Sequence, residues 1–210
     1  MSKLKIVIVD YGVGNVLSLS RAISKCGEKS ILTSNSKEIE SATHVFLPGV
    51  GAFKTAIRLL EEKKILEVLK KLDFSKIKIM GICLGMQLLF ESSEEQELTN
   101  GLGLIKGKIE KIVIKKEKKK NFKVPNIGWH NMNFKDQKNI FVNIKGGSFV
   151  YFVHSYRAVI KNEEDCLSSI DYGGVMIPAV INKNNIYGCQ FHPEKSGEYG
   201  VNLIKSFLFS

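Results

Sequence analysis

A thiol, an imidazole and a carboxylate stand in local settings that suit them for covalent acyl transfer. Cys83 lies in Gly81-Ile82-Cys83-Leu84-Gly85-Met86-Gln87, and far along the chain stands Gln190-Phe191-His192-Pro193-Glu194. The run 77–82 is short, apolar and rich in β-branched residues, which predicts a buried strand; helix formers follow from Leu84. Cys83 therefore falls at a strand-to-helix turn with glycine two residues to either side. That is the thiol counterpart of the Gly-x-Ser-x-Gly nucleophile elbow. The glycines remove Cβ atoms that would clash as the chain reverses, and the turn puts the sulfur at a helix N-terminus, a setting that favours thiolate. The bland alternative is a buried, inert structural cysteine.

His192 and Glu194 end a strand expected over 185–191. In extended chain residues two apart share a side, and Pro193 biases His192 to extended backbone. The carboxylate can then fix the imidazole tautomer and stabilise the imidazolium formed when the ring takes a thiol proton. His44, His130 and His154 are the competing bases, with His154 the main rival; only His192 has a carboxylate at rigid short range. Between a strand at 43–47 and the next helix lies Pro48-Gly49-Val50-Gly51-Ala52-Phe53. Its backbone N–H groups suit the oxygen of a tetrahedral intermediate, where losing one well-aimed donor costs roughly 3–4 kcal/mol of barrier. No Gly-Lys-Ser/Thr follows, which excludes a Walker-type phosphate loop. Asp10-Tyr11-Gly12-Val13-Gly14-Asn15 lacks the third glycine of a dinucleotide turn, its place held by Leu17.

The elements that must position these groups alternate. Strands are expected at 4–9, 30–33, 43–47 and 77–82, and helices at 15–26, 53–70 and 84–91, the pattern of a parallel α/β sheet. Beyond 105 the pattern changes to short strands and turns, including Gly146-Gly147 and Gly173-Gly174. This predicts a mixed, mostly parallel central sheet with an antiparallel extension, and a C-terminal helix from about Gly200. Sites in open α/β sheets form at the carboxyl ends of strands, where both the 48–51 loop and the Cys83 turn fall.

With 210 residues, 44% of them apolar, the chain has room for a full core, and 1–210 is expected to form a single domain. Cys26, Cys83, Cys166 and Cys189 make no Cys-x-x-Cys pair. The first apolar run, Ile6 to Val9, is too short for a signal peptide, and no segment is long enough to span a membrane. A reducing cytoplasm is the expected location, with no membrane association. The net charge of +10 invites a nucleic-acid reading, but five lysines lie within Lys115–Lys120 alone. That run lacks interleaved aromatics, and the arginines are only Arg21, Arg58 and Arg157; it is expected to be a solvated loop, with no nucleic-acid partner.

Together, Pro48-Gly49-Val50-Gly51, Gly81-Ile82-Cys83-Leu84-Gly85-Met86-Gln87 and His192-Pro193-Glu194 resemble, in order and spacing, the signatures of class I (triad-type) glutamine amidotransferase domains, over essentially the whole chain. Within that family the chain is most similar to the glutaminase subunits of imidazole glycerol phosphate synthases. Asp10-Tyr11-Gly12-x-Gly14-Asn15, Val153-His154-Ser155-Tyr156 and His192-Pro193-Glu194-Lys195-Ser196 carry that likeness. Met86 stands where anthranilate-type and carbamoyl-phosphate-type glutaminases usually have His. The resemblance implies a flavodoxin-like three-layer α/β fold and no cofactor or metal. It implies that Cys83 attacks the glutamine side-chain amide, His192 shuttles the proton and Glu194 orients it. Gly49, Val50 and Gly51 would form the oxyanion site, while Gln87, His154, Ser155 and Tyr156 hold glutamine. Ammonia would pass to a (β/α)8 cyclase partner in a heterodimer serving histidine biosynthesis, with Asn15, Trp129, Tyr156 and Lys195 at the interface and activity that rises when the partner binds. One segment departs. Pro125-Asn126-Ile127-Gly128-Trp129-His130 stands where the family typically reads Pro-His-Met-Gly-Trp-Asn. Relatives that feed ammonia to surface-sugar biosynthesis supply the alternative acceptor, and a non-catalytic copy of the fold supplies an alternative of another class.

Overall fold

The structure, a computed structural model, describes residues 4–118, 121–134 and 149–210. The chain runs β1 (Ile6–Val9), α1 (Val16–Lys25), β2 (Ser30–Thr33), α2 (Ser36–Glu40), β3 (His44–Gly49), α3 (Phe53–Glu62), α4 (Leu66–Lys70), β4 (Lys78–Cys83) and α5 (Leu84–Leu88). There follow β5 (Phe90–Ser93), β6 (Thr99–Asn100), β7 (Ile105–Lys111), β8 (Asn126–Asn131), β9 (Asn133–Phe134), β10 (Phe149–His154) and β11 (Tyr156–Ile160). The chain closes with β12 (Cys166–Tyr172), β13 (Val175–Lys183), β14 (Ile186–Cys189), a 3₁₀ turn (Pro193–Lys195) and α6 (Gly197–Phe209).

The main sheet has the order β2-β1-β3-β4-β14-β13-β12-β9. The pairings from β2 across to β14 are parallel; β13, β12 and β9 extend the sheet antiparallel. The inner parallel strands β1, β3 and β4 are apolar at consecutive positions because both faces are covered, whereas the edge strand β2 is partly exposed. Val7 and Val9, Val45 and Leu47, and Ile79 pack toward α2, α3 and α4 through Ile39, Phe53, Leu60 and Leu69. Their alternates Ile6 and Ile8, Phe46, Met80 and Ile82 pack toward α1 and α6 through Leu19, Ile23, Leu203 and Phe207. The period-2 alternation of a strand thus builds two cores, one per face, and a three-layer α/β architecture. No helix among the described residues is long and apolar enough to cross a membrane.

Several expected boundaries move. The helix expected over 53–70 breaks in two, since Lys64 takes a positive φ of 59° between α3 and α4. The helix expected over 84–91 stops at Leu88, because Phe90–Ser93 pairs instead with β7 and β6. An apolar run such as Leu88-Leu89-Phe90 suits either element, and the available partner decides. A second sheet, β11-β7-β5-β6, and a two-stranded antiparallel sheet of β8 and β10 stand apart from the main one. The C-terminal helix begins at Gly197 rather than Gly200. Gly146-Gly147 lie outside the described residues, as do Lys119 and Lys120; Lys116–Lys118 form a 3₁₀ turn between β7 and β8.

Candidate active site

The turn at Cys83 is built by two close approaches. A Cβ on Gly81 would lie 2.5 Å from the Gly85 carbonyl oxygen, and one on Gly85 would lie 2.7 Å from the Leu47 carbonyl carbon and closer still to its oxygen. Only glycine lets α5 pack directly on β3 here. Cys83 itself sits at φ 55°, ψ −109°, a backbone strain of order 1–3 kcal/mol for a residue with a side chain. Its register opposite Gly49 holds it in place. That neighbour is constrained as well, for a Cβ on Gly49 would meet the Tyr11 hydroxyl at 2.5 Å. The Tyr11 hydroxyl donates to the Pro48 carbonyl at 2.7 Å, and burial raises its pKa, so it stays a donor at working pH.

His192 follows β14 in extended backbone (φ −99°, ψ 97°). Its N–H donates to the Tyr151 carbonyl at 3.0 Å, and the Ser196 hydroxyl donates to its carbonyl at 2.6 Å. The expectation of extended chain through Glu194 is corrected: Pro193–Lys195 is a 3₁₀ turn. That turn brings the Glu194 carboxylate Oε1 to 2.8 Å from His192 Nδ1, with both side chains buried. Burial works against charge on this ring, but the Cys83 sulfur and the Glu194 carboxylate outweigh it and push the imidazole up to about 10. His192 Nε2 is buried and makes no hydrogen bond of ordinary geometry, so it is free to exchange a proton with the sulfur.

His154, the rival base, is tied down. Its Nδ1 lies 2.8 Å from the Tyr156 carbonyl, which can only accept, so Nδ1 carries the proton. Nε2 must then accept from Asn126 Nδ2 at 3.1 Å, which turns Asn126 Oδ1 toward His130 Nε2 at 2.7 Å. Both ring nitrogens of His154 are committed, and burial pushes its pKa down to about 4. The departing segment thus supplies a partly buried hydrogen-bond network that runs from His130 through Asn126 to His154.

A cavity of about 360 Å³ opens beside Cys83. Val50 and Gly51 from the glycine loop line it, with Leu84, Gln87 and the run His154, Ser155 and Tyr156. Gly49 does not line it but lies behind, at the end of β3. Gln87 Nε2 donates to the Tyr156 carbonyl at 3.1 Å and to Gln190 Oε1 at 3.0 Å. Both its N–H bonds are spent, which leaves its carbonyl oxygen to offer a ligand. Sequence reasoning missed Glu95, whose carboxylate stands at the cavity while its Oε2 accepts from the Phe53 N–H at 2.8 Å. Nothing local singles it out in Glu94-Glu95-Gln96-Glu97; the contact is made by the fold.

The residues expected at an interface separate. Trp129 is 52% exposed on β8, directly opposite Tyr151 on β10, their rings 5.9 Å apart. Lys195 is exposed, with Nζ 6.0 Å from the Tyr151 ring. With exposed Ile127 and Phe149 they form an apolar face whose strand holds His192 through the Tyr151 carbonyl. Asn15 precedes α1 and makes no side-chain cap bond, and Tyr156 is half-buried at the cavity. Among the described residues no cluster of three His, Cys, Asp or Glu could hold a metal.

Known proteins resemble this chain over nearly its whole length. The family model for class-I glutamine amidotransferases matches residues 7–210. Proteins named imidazole glycerol phosphate synthase subunit HisH, from Bacillus thuringiensis (strain Al Hakam) and Bacillus cereus (strain AH187), are each 44% identical over 206 residues, covering 96% of this chain and 93% of theirs. Among solved structures, one described as a glutamine amidotransferase aligns with a TM-score of 0.74 at 17% identity, covering 96% of each chain. The structure of PurLQS from Thermotoga maritima aligns with a TM-score of 0.72 at 19% identity, covering 98% of each; likenesses this distant in sequence speak to the fold alone.

Proposed function

The chain belongs to the class-I glutamine amidotransferase family, and we propose that it is the glutaminase subunit of an imidazole glycerol phosphate synthase. The observation that carries the chemistry is Cys83 on a glycine-built elbow at a cavity, with the His192–Glu194 pair buried beside it. The Cys83 thiolate attacks the δ-carbonyl carbon of glutamine. N–H groups of the loop that Val50 and Gly51 present to the cavity receive the oxyanion. As the C–N bond breaks, the His192 imidazolium gives its proton to the departing nitrogen, and ammonia leaves a thioester on Cys83. The now neutral ring takes a proton from water as the hydroxide adds to the thioester. The tetrahedral intermediate collapses to glutamate and the thiolate, with the imidazolium restored. Glu194 holds the ring in one tautomer and stabilises its charge throughout. The free carbonyl oxygen of Gln87 and the Glu95 carboxylate suit the α-ammonium of glutamine, with Ser155 and Tyr156 on the adjoining wall.

Ammonia then passes to a cyclase partner of the (β/α)8 type, docked on the Ile127, Trp129 and Phe149 face with Lys195 at its rim and Asn15 and Tyr156 contributing. Relatives named for imidazole glycerol phosphate synthase cover almost the whole chain, which favours the histidine precursor over a surface sugar as acceptor. Cys26, Cys83, Cys166 and Cys189 stand as thiols rather than disulfides, which supports a reducing, cytoplasmic setting. The test is reconstitution with the (β/α)8 cyclase subunit of an imidazole glycerol phosphate synthase from the same organism. Glutamine-dependent product formation should vanish in Cys83→Ala and return when ammonium salt is added. Glutamine-dependent turnover that survives the substitution, or a partner that aminates a sugar, would overturn the reading.

A further inference from the structure

We propose that Gln190 is a positioning residue for the Cys83 sulfur, its amide turned so that an N–H donates to Sγ; this rests on the reading of Cys83 as the nucleophile. Gln190 is fully buried after β14, and its backbone N–H is fixed on the Ala179 carbonyl at 2.9 Å. Its side chain has two neighbours, Gln87 Nε2 at 3.0 Å from Oε1 and the Cys83 sulfur at 3.8 Å from Nε2.

An amide can sit with its oxygen and nitrogen exchanged, and the hydrogen-bonding partners decide between the two orientations. The Tyr156 carbonyl settles it. A backbone carbonyl only accepts, so the Gln87 group beside it must be the NH₂ end. The second N–H of that group points at Gln190 and requires an oxygen there, which leaves the Gln190 NH₂ facing the sulfur. The same carbonyl fixes the His154 tautomer on its other side, so one acceptor sets the polarity of both arms.

A donor aimed at sulfur favours thiolate over thiol, because a hydrogen bond to a charged acceptor is stronger than one to a neutral acceptor. Other neighbours work the other way, since the Tyr11 hydroxyl and the Cys189 thiol, both of which interact electrostatically with Cys83, bring it no positive charge, and a carbonyl faces it as well. The Val153 carbonyl lies 4.0 Å from Sγ, where it can accept from S–H but repels a negative sulfur. His192 and Gln190 therefore act from the protein side against Val153. Gln190 also restrains the sulfur laterally. His192 must move a proton and change charge during turnover, whereas the amide keeps its donor in every step.

The experiment is the pH profile of Cys83 alkylation by iodoacetamide in the full chain, followed by peptide mapping, for the parent, Gln190→Met and Gln190→Glu. Methionine removes the donor. Glutamate keeps the volume and still accepts from Gln87 while facing the sulfur with an acceptor, so it serves if the apolar variant folds poorly. The midpoint of alkylation should rise by about one unit in the methionine variant and by more in the glutamate variant. In the complex kcat should fall roughly tenfold with KM within about twofold. Folded variants whose alkylation midpoint stays within about 0.3 unit of the parent would overturn the proposal and leave Gln190 a packing residue. Loss of the nucleophile reading would look different: Cys83 would not be the alkylated residue in the parent.

Discussion

Replacing Gly85 by alanine tests whether the elbow is held by direct packing of α5 on β3. The new methyl group would stand 2.7 Å from the Leu47 carbonyl carbon, with the carbonyl oxygen nearer still. Reaching an ordinary contact of 3.4 Å to the carbon alone needs a shift of about 0.7 Å, and clearing the oxygen needs more. Leu47 lies in β3 between β1 and β4 and is fully buried, so its carbonyl cannot yield; α5 must move, carrying Cys83 with it. A displacement near 1 Å at a reacting atom costs on the order of 10²-fold in rate. Overpacking adds a stability loss of about 1–3 kcal/mol. Glutaminase kcat/KM of the complex should fall at least about 100-fold, alongside a lower melting temperature. Gly12→Ala is the control. Gly12 has φ +98° with nothing within 4 Å of an added Cβ, so it should lose stability through backbone strain with little effect on rate. A Gly85→Ala complex within about twofold of the parent kcat/KM would refute the argument that this contact fixes the sulfur.

Three further outcomes follow from the same geometry. Glu194→Gln keeps the shape but removes the carboxylate from His192 Nδ1, so kcat should drop about 10²–10⁴-fold with KM little changed, and the ring should titrate below its present value near 10; steady-state kinetics across pH will show both. Stability should peak near neutral pH in thermal melts. His154 and His44, each held down to about 4, lose their contribution as pH falls from 6.5 toward 4, because the unfolded chain takes up protons that the folded one refuses. For His154 the loss is on the order of 3 kcal/mol. His192, raised to about 10, contributes fully below 6.5 and loses that contribution as pH rises through 10, so a melting temperature still climbing from pH 7 to 10 would contradict the His192 sign, and one that fails to rise from pH 4 to 6.5 would contradict the sign for His154 and His44. Trp129→Ala should leave the melting temperature unchanged, since the ring is 52% exposed, and weaken cyclase binding at least about 30-fold, measured by titration calorimetry.

The elbow was legible because its signal is local: an apolar run ending in Gly-x-Cys-x-Gly specifies a strand, a tight turn and a helix in nine residues. The parallel half of the sheet was legible for the same reason, since 30–33 and 43–47 are β-rich runs bounded by polar turns. Illegible features were those decided by partners distant in sequence. Phe90 leaves the helix because β7 offers it a parallel ladder. Glu95 reaches the cavity because the first N–H of α3, that of Phe53, holds it there. Asn126, His130 and His154 form one network only because β8 and β10 pair in register, Asn126 opposite His154. The triad carboxylate falls between these cases. Its spacing from His192 was evident, but a 3₁₀ turn rather than extended chain makes the contact.

The most direct test of the central claim is the site of covalent capture by a glutamine-mimicking diazo ketone, mapped by peptide mass spectrometry on the complex with its cyclase. A single adduct on the peptide carrying Cys83, prevented by excess glutamine and absent from Cys83→Ala, is the predicted result. An adduct on Cys26 instead, or continued glutamine hydrolysis by the Cys83→Ala complex at the parent rate, would contradict it.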